Sequence, residues 1–272
     1  MPASPIVFLS DFGLKDEFVG TCHGVIARIA PGSQVIDLAH GIPRGDVLRG
    51  ALLLREALAY LPDRAVLLAV IDPGVGGRRR PVALHTGAGR FLVGPDNGVL
   101  SLAWRALGGV ARAVEVTSAA IVLQPTSATF HGRDVFAPAA AHLAGGGDLS
   151  ELGKPVDPPT LVRVDPPQPR IALGSLTACV LAVDSFGNVQ LGAAATDLDR
   201  AGLGDAAVLA VRAGAESSRA ARAQSYSAVG DGELVVLVDS SGRLAVARNR
   251  GEAATHLRVA PGDWVEIGEP EP

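Results

Sequence analysis

The sequence predicts an α/β protein in two parts: a mostly parallel α/β sandwich domain over residues 1–165, followed by a small β-barrel domain over residues 166–272. In the first half, short apolar runs alternate with helical patterns, which is typical of a parallel sheet covered by helices. Residues 154–169 contain six prolines, which indicates a stiff linker or a domain boundary. Beyond this segment, short strand patterns are separated by glycine turns and helical periodicity is scarce, which favours a small barrel.

The elements of the first half follow from the spacing of its apolar residues. Short apolar runs between turn residues predict four strands, at residues 6–9, 34–38, 66–71 and 90–93. The third run is apolar throughout, which is typical of a strand that is covered on both faces. Apolar residues at helical spacing predict helices over residues 16–29, 46–61 and 99–106, and a further helix that includes Val135. Asp46 is expected to cap the second of these helices.

The second half contains mainly strand patterns. Strands are predicted at residues 171–183, 206–211, 233–238, 243–247 and 264–267. Their number and short spacing support the barrel.

Composition narrows the range of functions. A formal net charge of −4 leaves no basic excess to neutralise phosphates, so we expect no nucleic-acid partner. No apolar run reaches the length of about 18 residues that spans a membrane, and we expect a soluble, cytoplasmic protein. The two cysteines, Cys22 and Cys179, lie far apart in apolar stretches. They are therefore predicted to be small buried hydrophobes rather than part of a disulfide scaffold or a zinc cluster.

Three predicted strands are each followed by an aspartate beside glycine. Asp11, Asp72 and Asp96 follow the first, third and fourth strands of the first half. In an open parallel sheet, ligands bind outside the carboxyl ends of the strands, so three such loops on one edge predict a site. The alternative is that each aspartate only caps a turn or a helix, and it stays open at this point.

His131 differs from the other five histidines in its neighbours. It lies in the segment Thr-Phe-His-Gly-Arg-Asp at residues 129–134, which opens a predicted helix. The N-terminus of a helix favours anions, so His131 is a candidate for a functional site.

Five motifs occur in order along the chain: SDFG at residues 10–13, DPGVG at 72–76, GPDNG at 94–98, FHGRD at 130–134 and DSFGN at 184–188. With these motifs the chain resembles the S-adenosyl-L-methionine hydrolases, also called SAM hydroxide adenosyltransferases. The members of this family are relatives of the fluorinating and chlorinating enzymes that act on the same substrate. The resemblance covers nearly the whole chain.

The resemblance implies hydrolysis of S-adenosyl-L-methionine to adenosine and L-methionine, without a metal or a cofactor. It also implies an N-terminal α/β domain, a C-terminal β-barrel and a homotrimer with active sites between subunits. The implied catalytic set is Asp72, Arg79 and His131, which direct water at C5′ of the substrate. Arg78 and Arg80 flank Arg79, so the choice among the three arginines stays open.

The resemblance further implies a set of substrate-binding residues. Asp11 would bind the ribose diol, as a carboxylate that accepts two hydroxyl donors can do. The other implied contacts are Asp184 and Ser240 to the methionine portion, Asn188 and Tyr226 to adenine, and backbone groups around Asn249 and Arg250 to the adenine edge.

Three positions separate this chain from the halogenating relatives. The resemblance places a tyrosine in those enzymes where this chain has Asp72, and another where it has His131. The fluorinating enzymes also have a serine in place of Gly132. An anionic Asp72 would repel a halide, so water is the expected nucleophile. Because an adjacent arginine lowers the basicity of a carboxylate, we expect Asp72 to orient water rather than to act as a strong base.

Two other functions stay open at the level of sequence. The first is a protein that binds S-adenosyl-L-methionine or adenosine without significant turnover. The second is a metal-dependent phosphoesterase with Asp11, Asp72, Asp96 and His131 as ligands.

Overall fold

The computed structural model describes residues 3–214 and 216–270, and the chain divides into two compact units, Met1–Asp165 and Pro166–Pro272. The strands of the first unit are β1 (Ile6–Ser10), β2 (Val35–Ala39), β3 (Val66–Val70), β4 (Pro81–Thr86), β5 (Phe91–Pro95), β6 (Val110–Val116) and β7 (Gly153–Pro155). Its helices are α1 (Phe18–Ile29), α2 (Val47–Ala57), α3 (Ser101–Ala106) and α4 (Ala137–Ala144).

The seven strands of the first unit form one sheet in the order β2-β1-β3-β5-β4-β6-β7. Strands β2, β1, β3 and β5 are parallel neighbours, and β4, β6 and β7 extend the sheet in antiparallel pairing. All five residues of β1 and all five of β3 are buried. Continuous apolar strands at the centre of the sheet are therefore covered on both faces, as the sequence predicts.

Helices cover the sheet on its two faces. Val19, Cys22 and Ile26 of α1 pack with the alanines of α4 in one core cluster. Leu54 of α2 and Trp104 of α3 belong to a separate cluster, built on the alternate residues of the same strands. Because successive side chains of a strand point to opposite faces, two cores on one sheet are the expected result. This arrangement confirms the predicted α/β sandwich.

Most of the predicted helix boundaries in this unit agree with the structure to within about one turn. The carboxylate of Asp46 accepts a hydrogen bond from the backbone N–H of Arg49 at 2.9 Å, which confirms it as the cap of α2. One π-helical turn, Gly132–Phe136, leads directly into α4. Such turns are often found at functional sites.

The described residues of the second unit form eight strands, two short α-helices and one 3₁₀ turn at Tyr226–Ala228. The strands and α-helices are β8 (Arg170–Ala172), β9 (Ser175–Val183), β10 (Val189–Ala194), α5 (Ala195–Arg200), β11 (Val208–Ala213), β12 (Glu216–Arg222), β13 (Leu234–Val238), β14 (Arg243–Arg248), α6 (Ala253–Leu257) and β15 (Trp264–Gly268). Seven of these strands close into a barrel in the order β9-β10-β14-β13-β12-β11-β15, and β8 adds to the outside of β9. The barrel encloses one apolar core, which confirms the predicted barrel.

Several barrel strands differ from the sequence prediction. The predicted strand at 171–183 is in fact two strands, because the chain turns at Gly174 with a φ of 79°. Strands β10 and β12 were not predicted, and β4, β6 and β7 are not among the four strands predicted for the first unit. The sequence of β12, Glu-Ser-Ser-Arg-Ala-Ala-Arg, has little apolar character, and only Ala220 of it is buried. Pairing with β11 and β13, rather than local pattern, makes this segment a strand.

Both cysteines are buried and unpaired, as predicted. Burial raises the pKa of the Cys22 thiol to about 12, which makes it an unreactive packing residue. Across the described part of the chain, no helix has the length and apolar character needed to cross a membrane.

Candidate active site

The order of the strands brings the three predicted aspartates to one edge of the sheet. Strands β1, β3 and β5 are parallel neighbours, so their carboxyl ends lie side by side. Asp11 comes directly after β1, Asp72 lies two residues after β3, and Asp96 comes directly after β5. The structure then separates their roles, because each carboxylate has different partners.

Asp72, Arg79 and His131 form one connected cluster. The Nε of Arg79 donates to both carboxylate oxygens of Asp72, at 2.9 and 3.0 Å, and its Nη2 makes a further bond to Oδ2. The same Nη2 lies 2.7 Å from Nδ1 of His131. The Asp72 side chain is 6% exposed and that of Arg79 is 9% exposed, so the pair is held largely away from water. The guanidinium also lies over the ring of Phe136, 5.2 Å from its centroid.

This geometry specifies the proton arrangement of His131. A guanidinium can only donate hydrogen bonds, so Nδ1 of His131 must accept from Arg79. The neutral ring then carries its proton on Nε2, which is free of this bond and can donate to a molecule in the site. Burial and the positive charge of Arg79 both lower the pKa of His131 below its ordinary value. The cluster therefore contains an anion, a permanent cation and a neutral imidazole.

The backbone of the Asp72 loop passes close to the segment that precedes His131. Gly76 has a φ of 72°, and a Cβ built on it would lie 2.3 Å from the carbonyl oxygen of Ala128. A residue with a side chain would therefore be strained at position 76 and would also push the two segments apart.

The segment before His131 is held from the helix side. The buried carboxylate of Asp134 accepts from the backbone N–H of Ser127 at 2.8 Å and from the guanidinium of Arg133. Although burial alone raises the pKa of Asp134, these hydrogen bonds lower it below its ordinary range. Asp134 therefore stays ionised and links the loop to the π-helical turn.

The neighbouring arginines lie elsewhere. Arg80 donates to Asp96 from Nε at 2.9 Å and to the carbonyl oxygen of Thr160 at 2.8 Å. Asp96 also accepts from the backbone N–H of Val162 at 2.8 Å. Asp96 and Arg80 thus hold the segment near residue 160, and Arg78 is exposed. Only Arg79 of the three arginines joins Asp72 to His131.

Asp11 is held by the loop that follows β2. Its Oδ2 accepts from the backbone N–H of Gly45 at 2.8 Å. A second link runs through the buried Ser10, whose hydroxyl lies 2.7 Å from Nδ1 of His40. Nε2 of His40 lies 2.9 Å from the carboxylate of Asp37. This chain of hydrogen bonds fixes the end of β1, from which Asp11 projects.

The geometry does not favour the phosphoesterase alternative. Among the described residues, no group of three or more His, Cys, Asp or Glu side chains is arranged to hold a metal ion. Of the four proposed ligands, Asp72 is paired with Arg79 and Asp96 with Arg80. A guanidinium in contact with a carboxylate would oppose a metal ion at the same oxygens.

The second unit carries a separate cleft of about 570 Å³. Four predicted substrate-binding residues line it, namely Asp184, Asn188, Tyr226 and Arg250. The Asp184 carboxylate accepts from the backbone N–H groups of Phe186 and Asn188, both at 2.9 Å, and from Nδ2 of Asn188 at 2.8 Å. It is therefore a turn-holding residue as well as an anion in the cleft. Arg250 has a φ of 53°, which is uncommon for a residue with a side chain and frequent at functional sites.

Two other predicted residues do not line this cleft. Ser240 is exposed in the turn between β13 and β14, where Asp239 accepts hydrogen bonds from Ser241 and Arg243. The Asn249 side chain donates to the carbonyl oxygen of Val229 at 2.8 Å. Its backbone N–H and C=O are bonded to Glu233 and Gly232, so the Asn249 backbone serves the barrel.

The structure adds residues that the sequence did not single out. Phe186, Arg248, Gly251 and Glu252 complete the lining of the cleft in the second unit. Phe136 lies beneath Arg79 in the first unit. Two sequence signals existed for them: Phe186 lies inside the DSFGN motif, and Arg248, Gly251 and Glu252 flank the predicted Asn249 and Arg250. Phe136 had none, because it lies 57 positions from Arg79, which it contacts.

The fold and the clusters define a two-domain protein of one class: an α/β sheet with a largely buried Asp–Arg–His cluster at its carboxyl edge, followed by a seven-stranded barrel that carries a cleft. Comparison with known proteins then identifies the family. Residues 6–153 match the SAM hydroxide adenosyltransferase N-terminal domain, and residues 178–266 match the C-terminal domain. The chain belongs to the SAM hydroxide adenosyltransferase family.

Individual relatives agree with this assignment over the full length. The chain is 49% identical over 266 residues to the (R)-S-adenosyl-L-methionine hydrolase of Salinispora tropica, covering 98% of each chain. It is 43% identical over 270 residues to the protein of the same name from Thermus thermophilus, covering 97% of this chain and 99% of that one. A crystal structure of an uncharacterized conserved protein from Thermotoga maritima is similar at a TM-score of 0.89 and 35% identity, covering 97% and 100%.

Proposed function

We propose that this protein hydrolyses S-adenosyl-L-methionine to adenosine and L-methionine by attack of water on C5′ of the ribose. The observation that carries the proposal is the connected cluster of Asp72, Arg79 and His131 at the carboxyl edge of the sheet. The names of the relatives in Salinispora and Thermus support the same reaction. Because these relatives match along the whole chain, the binding-only alternative is not favoured.

The reaction makes one clear demand on the protein. The leaving group is neutral methionine, so no acid is needed to assist its departure. Water is the difficulty, because its pKa in bulk is about 15.7 and hydroxide is scarce at neutral pH. The C5′–sulfur bond breaks as the new C5′–oxygen bond forms, the electron pair of the broken bond stays on sulfur, and one water proton is released.

The cluster is suited to stabilise the developing hydroxide. Arg79 provides a fixed positive charge, and Nε2–H of His131 provides a hydrogen-bond donor that is already oriented. The Asp72 carboxylate accepts several hydrogen bonds from Arg79, so the guanidinium engages both of its oxygens. Asp72 therefore holds Arg79 in place and orients water. The low exposure of the pair strengthens each of these electrostatic interactions.

Residues of both units would bind the substrate. Asp11 would accept the ribose hydroxyls at the edge of the sheet. The cleft of the second unit would bind the adenine and methionine portions through Tyr226, Asn188 and Asp184. We further propose a homotrimer whose active sites lie between subunits, and a protein that acts in the cytoplasm. Binding by residues of both units fits such an assembly.

Isotope labelling tests the reaction directly. We expect that turnover in water enriched in the oxygen-18 isotope, with EDTA present, places the label on the 5′ oxygen of adenosine, because the oxygen of water attacks C5′. Excess fluoride or chloride should give no 5′-halogenated adenosine, because the Asp72 carboxylate repels a halide. Unlabelled adenosine or a halogenated main product would contradict the proposal, and loss of activity with EDTA would point back to a metal.

The pH dependence of kcat tests the state of His131. Its lowered pKa keeps the ring neutral at pH 7. We therefore expect kcat to be independent of pH above about 6.5, which is the ordinary pKa of histidine, and to fall at more acid pH. Protonation places a proton on Nδ1 and breaks the bond from Arg79. Folding stability depends on pH in the same direction. Because the pKa of His131 is lower in the folded protein than in the unfolded chain, the free energy of unfolding decreases as the pH falls below about 6.5.

NMR titration of His131, assigned with a His131→Gln variant, measures this pKa independently of turnover. A midpoint above 6.5 would contradict the assigned proton arrangement.

Replacing Asp184 by alanine tests the cleft. The carboxylate would face the substrate ammonium in both the ground state and the transition state, so we expect KM to rise and kcat to change little. Because Asp184 also holds its own turn, Asp184→Asn is the matched variant, since its amide oxygen can still accept from the backbone of Phe186 and Asn188. A large fall in kcat with unchanged KM in both variants would contradict this binding role.

A further inference from the structure

We propose that Phe12 is a positioning residue for His131: its ring fills the space over the Cα of Gly132 and so sets the place of the turn that carries the imidazole. This inference rests on the proposed function, in which His131 stabilises the attacking water. It assigns a role to a side chain in the loop of Asp11.

The contact between Phe12 and Gly132 leaves no room for a side chain. A Cβ built on the buried Gly132 would lie 2.7 Å from Cζ and 3.1 Å from Cε2 of Phe12. It would also lie 3.4 Å from Cε2 of Phe130. Gly132 does not have a positive φ in this structure, so close approach rather than backbone conformation requires glycine here.

The ring of Phe12 cannot easily move away, because other aromatic rings surround it. Its centroid lies 6.3 Å from that of Phe8, 6.0 Å from Phe18 and 5.8 Å from Phe130, each in an edge-on arrangement. Packed rings of this kind resist displacement, since a shift of one ring disturbs the contacts of the others. The Phe12 backbone is held too, because its N–H donates to the Ser10 hydroxyl at 3.3 Å.

The position of the contact links it to the chemistry. Gly132 directly follows His131 and begins the π-helical turn, while Phe12 directly follows Asp11. A larger side chain at position 132 would therefore move the imidazole of His131 relative to Arg79. A change of size at position 12 would move the carboxylate of Asp11 relative to the same two residues. The 2.7 Å bond from Arg79 to His131 Nδ1 leaves little tolerance for such a shift.

The test is a double-mutant cycle on the full-length protein. A shift of about 1 Å at a catalytic group costs up to about 100-fold, so Gly132→Ala is expected to lower kcat by about 10- to 100-fold with little change in KM. Phe12→Leu removes the tip of the ring, so adding it to Gly132→Ala should raise kcat at least about fivefold above that of Gly132→Ala alone. The effects of the two substitutions would then be non-additive. Phe18→Leu is the matched control, because Phe18 belongs to the same aromatic group but is not among the atoms nearest to Gly132.

A second measurement does not depend on turnover. The ¹⁵N resonances of His131 report the bond from Arg79 to Nδ1, and we expect them to shift in Gly132→Ala and to return in the double variant. Thermal unfolding of each variant identifies any general loss of stability. If Gly132→Ala does not fold, Phe12→Leu alone must shift the resonances while Phe18→Leu must not.

The outcomes separate the inference from the proposed function. Additive effects on kcat, equal rescue by Phe18→Leu, or unmoved His131 resonances would overturn the role of Phe12. A wild-type protein that does not hydrolyse S-adenosyl-L-methionine would overturn the proposed reaction. In that case the resonances of His131 still decide whether Phe12 positions the imidazole.

Discussion

Replacing Arg79 by alanine is expected to lower kcat by about 10²- to 10³-fold, the cost of removing one fixed charged donor from an active site. Arg79 is the only residue of the cluster that contacts both other members, so its loss removes the charge and releases Asp72 and His131 together. The Asp72 carboxylate, 6% exposed, would also lose its partner. We therefore expect the free energy of unfolding to fall by about 3–5 kcal/mol.

Two further variants make this prediction specific. Arg78→Ala changes the adjacent, exposed arginine and should leave kcat within about twofold, since it removes no contact of the cluster. Arg79→Lys keeps the positive charge but cannot span both oxygens of Asp72 and reach His131 at once, so it should recover stability better than activity. Steady-state kinetics and chemical denaturation measure the two effects separately. Equal activity of Arg78→Ala and Arg79→Ala would show that the cluster is not the reacting centre.

Asp72→Asn is expected to lower kcat by about 10²-fold and to leave activity that is measurable above the uncatalysed rate. Asparagine keeps the shape of the side chain and one acceptor oxygen, but its amide hydrogens would face the donors of Arg79. The guanidinium would then lose the charged, two-oxygen contact that fixes it. Residual activity is expected because the carboxylate orients water and holds Arg79 rather than taking the proton.

The size of the residual rate decides the role of Asp72. If Asp72 were the base, the residual rate of Asp72→Asn would fall well below this level and would rise with pH as hydroxide replaces the lost base, whereas loss of an orienting residue leaves a rate that stays level above about pH 6.5, as expected for the wild type. Asp96→Asn is the matched control, because Asp96 also follows a strand of this sheet and also pairs with an arginine, Arg80. It should affect stability more than kcat, since its partners hold the segment near residue 160.

Much of the first unit could be predicted from local pattern. The buried central strands are continuous apolar runs, and the order of strand and helix patterns along the chain restricts the sheet to parallel neighbours at its centre. The aspartates after β1 and β3 therefore had to approach one another. Strand β6 was missed, because it pairs on the antiparallel side, where its exposed residues interrupt the apolar pattern.

The choice of Arg79 shows where residue type stops being informative. Three consecutive arginines are chemically the same, and the turn after β3 alone decides that one binds Asp72, another binds Asp96 and the third is exposed. The same holds for position 132. Glycine is required there because the ring of Phe12, 120 positions earlier in the chain, leaves no room for a side chain.

The sequence by itself determined the α/β core, the barrel, the family resemblance and the residue types available for chemistry, because these depend on apolar periodicity and on short ordered motifs. Only the tertiary structure decided which carboxylates are paired with arginine, which nitrogen of His131 faces Arg79, and which predicted contacts line the cleft of the second unit. These properties depend on distances of about 3 Å between side chains that are 7 to 52 positions apart in the chain. Such distances are set by how loops and strands pack, and local composition does not specify them.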